Sequence, residues 1–85
     1  MLEVFFSAKF IKQFGKLEVD LQDEVLEKVE LFRIKNNHQT LKAHKLKGEL
    51  KNYFSFSVNY KIRIIFKKEK DKYYLLTISD HDIYK

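Results

Sequence analysis

The stretch Tyr53–Phe66, YFSFSVNYKIRIIF, constrains this chain more than any other, because two alternating apolar/polar runs meet at Asn59-Tyr60-Lys61. Such a pattern predicts a β-hairpin with a three-residue loop. In that register Phe54 faces Phe66, Phe56 faces Ile64 and Val58 faces Ile62, so one face is wholly apolar. The period of two then fixes the other face, where Ser57 lies opposite Arg63 and Ser55 opposite Ile65. An arginine set among small hydroxyls on an open sheet face is a candidate site. The same phasing carried into Tyr73–Ser79, YYLLTIS, turns Tyr74, Leu76 and Ile78 toward Phe66, Ile64 and Ile62. Tyr73 is then exposed and Thr77 joins Arg63 and Ser57. The chain leaves this strand into Asp80-His81-Asp82-Ile83-Tyr84, at the edge of the arginine face.

Upstream, Leu2-Glu3-Val4-Phe5-Phe6 alternates as a strand with Leu2, Val4 and Phe6 inward. Ser7 stands at an N-cap position before a helix over Ala8–Phe14, which Gly15 is expected to close in the left-handed conformation. Asp20 is the expected N-cap of a second helix running to about Lys35, stopped by Asn36-Asn37. Its apolar side holds Leu21, Val25, Val29 and Phe32, joined by Leu26. The two helices form a hairpin that can cover one face of the sheet and leave the arginine face uncovered. Residues 38–52 form a basic connector, in which Leu46-Lys47-Gly48 can add a short edge strand. The sequence thus predicts a single α+β domain over residues 1–85: an N-terminal strand, a helical hairpin, then three to four antiparallel strands.

Charge is unevenly spread along this frame. Residues 1–40 carry net −1 and residues 41–85 net +6, so the basic surface belongs to the C-terminal half. Such a surface suits a polyanion, since phosphate contacts release counterions without reading sequence. There is no cysteine, which excludes a disulfide framework and a thiolate zinc site and makes a cytoplasmic location the default. No apolar run approaches membrane-spanning length, and no basic region precedes an apolar run at the N-terminus. His38, His44 and His81 do not fall at a known metal-ligand spacing, no serine sits in a glycine elbow, and no phosphate-loop glycines are present. Neither a metal nor a small-molecule cofactor is expected.

Metal-free proton transfer beside a phosphate-binding face remains, and it fits cleavage of RNA by its own 2′-hydroxyl. That reaction needs a base, cations for the charge that builds on the phosphorane, and an acid for the leaving 5′ oxygen. His81 titrates in a useful range. Arg63, with Lys45 or Lys47, can hold the phosphate, and Tyr84 can stack on a base or donate a proton. Spacing alone does not choose between this chemistry and a surface His81, an Arg63 paired to Asp80 or Asp82, and a Tyr84 packed on the sheet.

The succession LKAHKLKGELKNYFSFSVNYKIRIIF, followed by YYLLTISDHDIYK, resembles the RelE/ParE superfamily of toxins from bacterial and archaeal toxin–antitoxin pairs. The matching positions are Leu46-Lys47-Gly48, Phe54-Ser55, Tyr60–Phe66 and His81-Asp82-Ile83-Tyr84, in order across nearly the whole chain. The resemblance implies a two-layer fold with the N-terminal strand beside the last one. It also implies an mRNA endonuclease of the RelE/StbE-like kind, acting in the ribosomal A site and neutralised by a cognate antitoxin. By the same resemblance Arg63 contacts the reacting phosphate, His81 is an acid/base, Tyr84 orients the nucleotide and His44 matches a histidine that some members use in catalysis. Lys42, Lys45, Lys47, Lys51, Lys61 and Ser57 are the RNA-contacting candidates. Some histidine-rich members carry a second histidine and an aspartate where this chain has Ser57 and Lys61; other members work with lysines and arginine, as Lys45, Lys47 and Arg63 would. The superfamily also contains gyrase inhibitors without nuclease residues, and a plain RNA-binding module is a third reading.

Overall fold

A computed structural model describes residues 2–46 and 53–80. Its elements are β1 (Glu3–Phe6), α1 (Ala8–Gly15), α2 (Val19–Phe32), a 3-10 turn (Lys35–Asn37), β2 (His44–Lys45), β3 (Phe54–Ser57), β4 (Ile62–Glu69) and β5 (Lys72–Asp80). The strands form one five-stranded sheet in the order β1-β5-β4-β3-β2. β1 runs parallel to β5 and the other pairs are antiparallel, so the sheet is mixed.

The β3–β4 hairpin has the register that its alternation dictates: Phe54 opposite Phe66, Ser55 opposite Ile65, Phe56 opposite Ile64 and Ser57 opposite Arg63. Asn59 makes the loop. Its Oδ1 accepts from the amides of Lys61 (2.8 Å) and Ile62 (2.7 Å), and its Nδ2 donates to Glu24 Oε1 (2.7 Å) on α2. An asparagine side chain that closes its own turn stabilises it locally; here the same amide also ties the loop to the helix layer.

The β4–β5 pairing departs from the expected phase. Leu75, not Tyr74, lies opposite Phe66; beyond a bulge between Ile65 and Phe66, Ile78 faces Ile64 and Asp80 faces Ile62. The reason is the tight turn at Lys70-Asp71, where Lys70 adopts φ 58° and the strands run on to Glu69 and Lys72. A turn of that length sets the register by its own geometry, and Leu76 is taken up as the extra residue of the bulge. Tyr73 therefore turns inward and is buried at 4% exposure, rather than exposed.

The core is aromatic-rich, as eight Phe and five Tyr in this chain foreshadow. Val25, Val29 and Phe32 of α2 press on Phe56, Ile64, Phe66 and Leu75 of the sheet. Phe32 is its centre: its ring stacks on Phe56 (4.3 Å between centroids) and meets Phe66 and Tyr73 edge-on (4.8 and 5.4 Å). Burying a phenylalanine side chain is worth about 1.5–3 kcal/mol, and such ring pairs add to it.

Helix ends differ in part from expectation. Ser7 is the N-cap of α1, its Oγ accepting from the Phe10 amide at 3.0 Å, and the same hydroxyl donates to Leu76 O at 2.7 Å. Gly15 is the last residue of α1 itself, not a left-handed terminator, and Lys16 follows in right-handed conformation. Glu18, not Asp20, holds the N-cap position of α2 without a side-chain cap; Asp20 sits in the first turn, where the helix dipole favours it. α2 ends at Phe32 and the chain passes into the 3-10 turn. Leu26 and Phe6, expected inward, are 52% and 37% exposed. Both line an apolar groove with Phe10, Ile11 and Phe14.

Gln13 bonds to β5 at Thr77 and Ile78. Beyond the end of β1, its Oε1 accepts from the Ile78 amide (2.7 Å) and Thr77 Oγ1 (3.0 Å), and its Nε2 donates to Ile78 O (3.2 Å). One side chain thus continues, past the end of β1, the bonding along this side of β5.

Candidate functional site

The site is built on the face of the sheet away from the helices. Arg63 extends from β4 across β3, donating through Nε to Ser55 Oγ (3.0 Å) and through Nη1 to Ser57 Oγ (2.6 Å). Its Nη2 reaches the Lys42 carbonyl oxygen (3.2 Å) and lies 3.2 Å from His44 Nδ1. The diagonal reach to Ser55 follows from pleat geometry, since a long side chain covers its neighbour two residues along the facing strand. Hydroxyls, a carbonyl and an imidazole surround the guanidinium, and none of these partners is a carboxylate. Burial lowers the Arg63 pKa from its usual value, yet an arginine remains charged at any physiological pH. The result is a fixed, half-buried cation whose charge these partners do not neutralise.

The carbonyl that completes the cluster is placed by strain. Lys42 adopts φ 58°, the left-handed region that costs a non-glycine residue about 1–3 kcal/mol. This turn is held by bonds from the Lys42 amide to Gln39 O (3.0 Å) and from the Ala43 amide to His38 O (2.9 Å). It directs the Lys42 carbonyl at both Arg63 and His44, whose Nδ1 lies 2.9 Å from it. Since a carbonyl oxygen accepts twice, Nδ1–H and Nη2–H can both donate to it. In that tautomer the lone pair of His44 is on Nε2; in the other, Nδ1 accepts from Nη2–H and Nε2 carries the hydrogen.

The other candidates distribute as follows. Ser57 lies in the cluster, as its place opposite Arg63 required. Lys42 contributes its backbone oxygen. Lys45 pairs with Phe54, on the helix-side face, so it stands apart from Arg63. Lys61, in the hairpin loop, has its Nζ 3.9 Å from Asp80 Oδ2. Lys47, Lys51, His81, Tyr84 and Asp82 lie outside the described residues. Of the edge strand expected at Leu46-Lys47-Gly48, Lys47 and Gly48 lie outside the described residues; the described edge strand is His44–Lys45, and the Leu46 amide extends its pairing to Tyr53 O at 2.8 Å.

The face is also less open than its sequence pattern implies: Ser55, Ile65 and Ser79 are 1%, 4% and 6% exposed. Ser79, rather than Thr77, is opposite Arg63, a direct effect of the β5 slip. Ser55 and the Lys42 carbonyl are the parts sequence reasoning undervalued. The first is visible in the hairpin alternation once arginine's length is considered; the second has no signal, because any residue type supplies a carbonyl. Among the described residues, no group of three or more His, Asp or Glu is placed to hold a metal ion, and no helix is long and apolar enough to cross a membrane.

A mixed five-stranded sheet with helices on one side defines an α+β fold, and solved structures share it. The chain superposes on an archaeal RelE–RelB complex from Pyrococcus horikoshii OT3 with a TM-score of 0.73 at 13% identity, covering 93% of this chain and 93% of that one. It matches the toxin–antitoxin complex RelBE2 from Mycobacterium tuberculosis with a TM-score of 0.72 at 18% identity, over 94% and 98% of the two chains. A YoeB–YefM complex from Staphylococcus aureus gives a TM-score of 0.72 at 16% identity, over 95% and 98%. No protein-family model matches the sequence, and no curated protein matches it. The chain has the fold of the RelE-type toxins.

Proposed function

We propose that this protein is the toxin of a toxin–antitoxin pair and that it cleaves ribosome-bound mRNA, with the RNA 2′-hydroxyl as nucleophile. The observation that carries the reading is the Arg63 cluster: a cation held by Ser55, Ser57 and the Lys42 carbonyl, with the exposed His44 beside it. His44 Nε2 takes the 2′-hydroxyl proton as the oxygen attacks phosphorus. The P–O5′ bond breaks, and the leaving oxygen takes a proton from an acid for which His81 is the candidate by resemblance. The products are a 2′,3′-cyclic phosphate and a free 5′-hydroxyl. Arg63 stabilises the phosphorane, whose extra charge exists only near the transition state; preorganised donors of this kind are commonly the largest catalytic contribution.

The partner of this reading is an antitoxin. An acidic segment suits the net +6 of residues 41–85, and apolar side chains suit the groove lined by Phe6, Phe10, Ile11, Phe14 and Leu26. The protein acts in the cytoplasm, where ribosomes and mRNA are.

Primer extension on ribosome-bound message tests the reading. The expected result is cutting within codons by the wild type, none by Arg63→Ala, and little cutting of free RNA. Intact message together with stalled DNA supercoiling would replace it with the gyrase reading.

A further inference from the structure

On the helix side of the sheet, at the end that α1 and α2 leave uncovered, lies a cleft of about 280 Å³. Its floor is Phe66 and Tyr73, buried at 3% and 4% exposure; its walls are Phe54 and His38; Lys45 and Lys68 stand at its rim. The walls are fixed. Phe54 stacks on Phe66 at 5.4 Å and 19°, while His38 stacks on Phe32 at 4.2 Å and is bonded through Nε2 to the Phe32 carbonyl at 2.8 Å. Lys68 places its Nζ 5.7 Å above the Tyr73 ring. Among the described lining residues none is acidic. The volume falls just below the roughly 300–1,000 Å³ of pockets for drug-sized ligands, which suits a single planar ring system. Flat aromatic walls under two cations favour an aromatic group carried on an anionic chain.

His44 lines this cleft and also touches Arg63, so the cleft and the arginine cluster flank the same edge strand, β2. We propose that the cleft holds one unpaired nucleobase of the RNA strand whose phosphate Arg63 engages, with the adjoining phosphates on Lys45 and Lys68. This rests on the reading of the protein as acting on RNA and adds a second contact around the β2 edge. Stacking accepts any base, so the cleft sets where the strand lies rather than which base it takes.

The test uses the full chain and a 2′-O-methylated tetraribonucleotide, which has no hydroxyl to attack phosphorus. Titration followed by NMR should shift His38, Phe54 and Tyr73 together with Arg63 and His44. Phe54→Leu, which keeps apolar bulk and loses the flat face, should weaken binding about 5- to 30-fold, the scale of one lost base stack. Lys45→Ala/Lys68→Ala alters only exposed side chains and should reduce the salt slope of the binding constant by about 1.4, from about 0.7 per phosphate contact on a single strand. Shifts confined to the Arg63 face, or an unchanged salt slope in the double variant, would overturn the proposal. So would an acidic peptide that shifts the cleft residues when the oligonucleotide does not. Cleavage of ribosome-bound message is read separately: a shifted cleft with uncut message removes the nuclease reading alone, and cut message with an unshifted cleft removes this inference alone.

Discussion

Arg63 Nη1 lies 2.6 Å from Ser57 Oγ, across the hairpin from strand to facing strand. The bond fixes the guanidinium in one pose, with Ser55 holding Nε from the next position along. Ser57→Ala should therefore leave the fold intact and lower single-turnover cleavage about 5- to 30-fold. A hydrogen bond to a charged group contributes about 1.5–3 kcal/mol, and Ser55 retains part of the hold. Arg63→Lys should not restore the activity lost in Arg63→Ala, because an ammonium cannot span two serines and a carbonyl at once. An active lysine variant would mean that only charge at this point matters.

In the proposed reaction His44 is the base and acts through Nε2, with Nδ1 2.9 Å from the Lys42 carbonyl oxygen. His44→Ala should slow cleavage by about 10²–10⁴-fold, since that is the usual range for a lost general base. Folding by circular dichroism should be unchanged, as the ring is exposed. A wild-type single-turnover rate in this variant would move the proton transfer elsewhere, to His81 or a lysine.

Gln13 makes three hydrogen bonds to Thr77 and Ile78 from a different layer of the fold. Gln13→Ala should cost about 1–3 kcal/mol in urea unfolding and speed amide exchange at Ile78, because a backbone donor loses its acceptor. Gln13→Glu keeps the acceptor and loses the donor to Ile78 O, so its stability should fall between the two. Unchanged exchange at Ile78 in the alanine variant would show that the edge does not need this cover.

Asn59 couples the hairpin loop to α2 through Glu24. Asn59→Asp keeps the oxygen that closes the turn but sets a second carboxylate against Glu24. It should destabilise the fold at neutral pH by about 1–2 kcal/mol and recover part of that loss as pH falls through the carboxylate range, where protonation removes the repulsion. Asn59→Ala should be destabilised without that pH dependence. Chemical denaturation at pH 4 and pH 7 distinguishes them.

The hairpin, the arginine and the cap at Ser7 were legible in the chain because each depends on residues close in sequence. Alternation with a three-residue loop places Ser57 opposite Arg63 before any tertiary contact is known, and Ser7 needs only the Phe10 amide three residues on. Apolar spacing likewise marks Val25, Val29 and Phe32 as the buried side of α2. What tertiary structure decided is where those pieces met. The turn at Lys70-Asp71 and the bulge at Leu76 shifted β5, buried Tyr73 and set Ser79 against Arg63. Period-two patterning could not foresee this, because Tyr73-Tyr74-Leu75-Leu76 is apolar at every position and is compatible with either phase. The Lys42 carbonyl, 21 residues before Arg63, reaches it through a left-handed backbone that no side-chain pattern encodes. The chain specified its local geometry through hydrogen bonds and alternation over a few residues; the site was assembled by packing, which brings β2 and the Lys42 turn against β3 and β4.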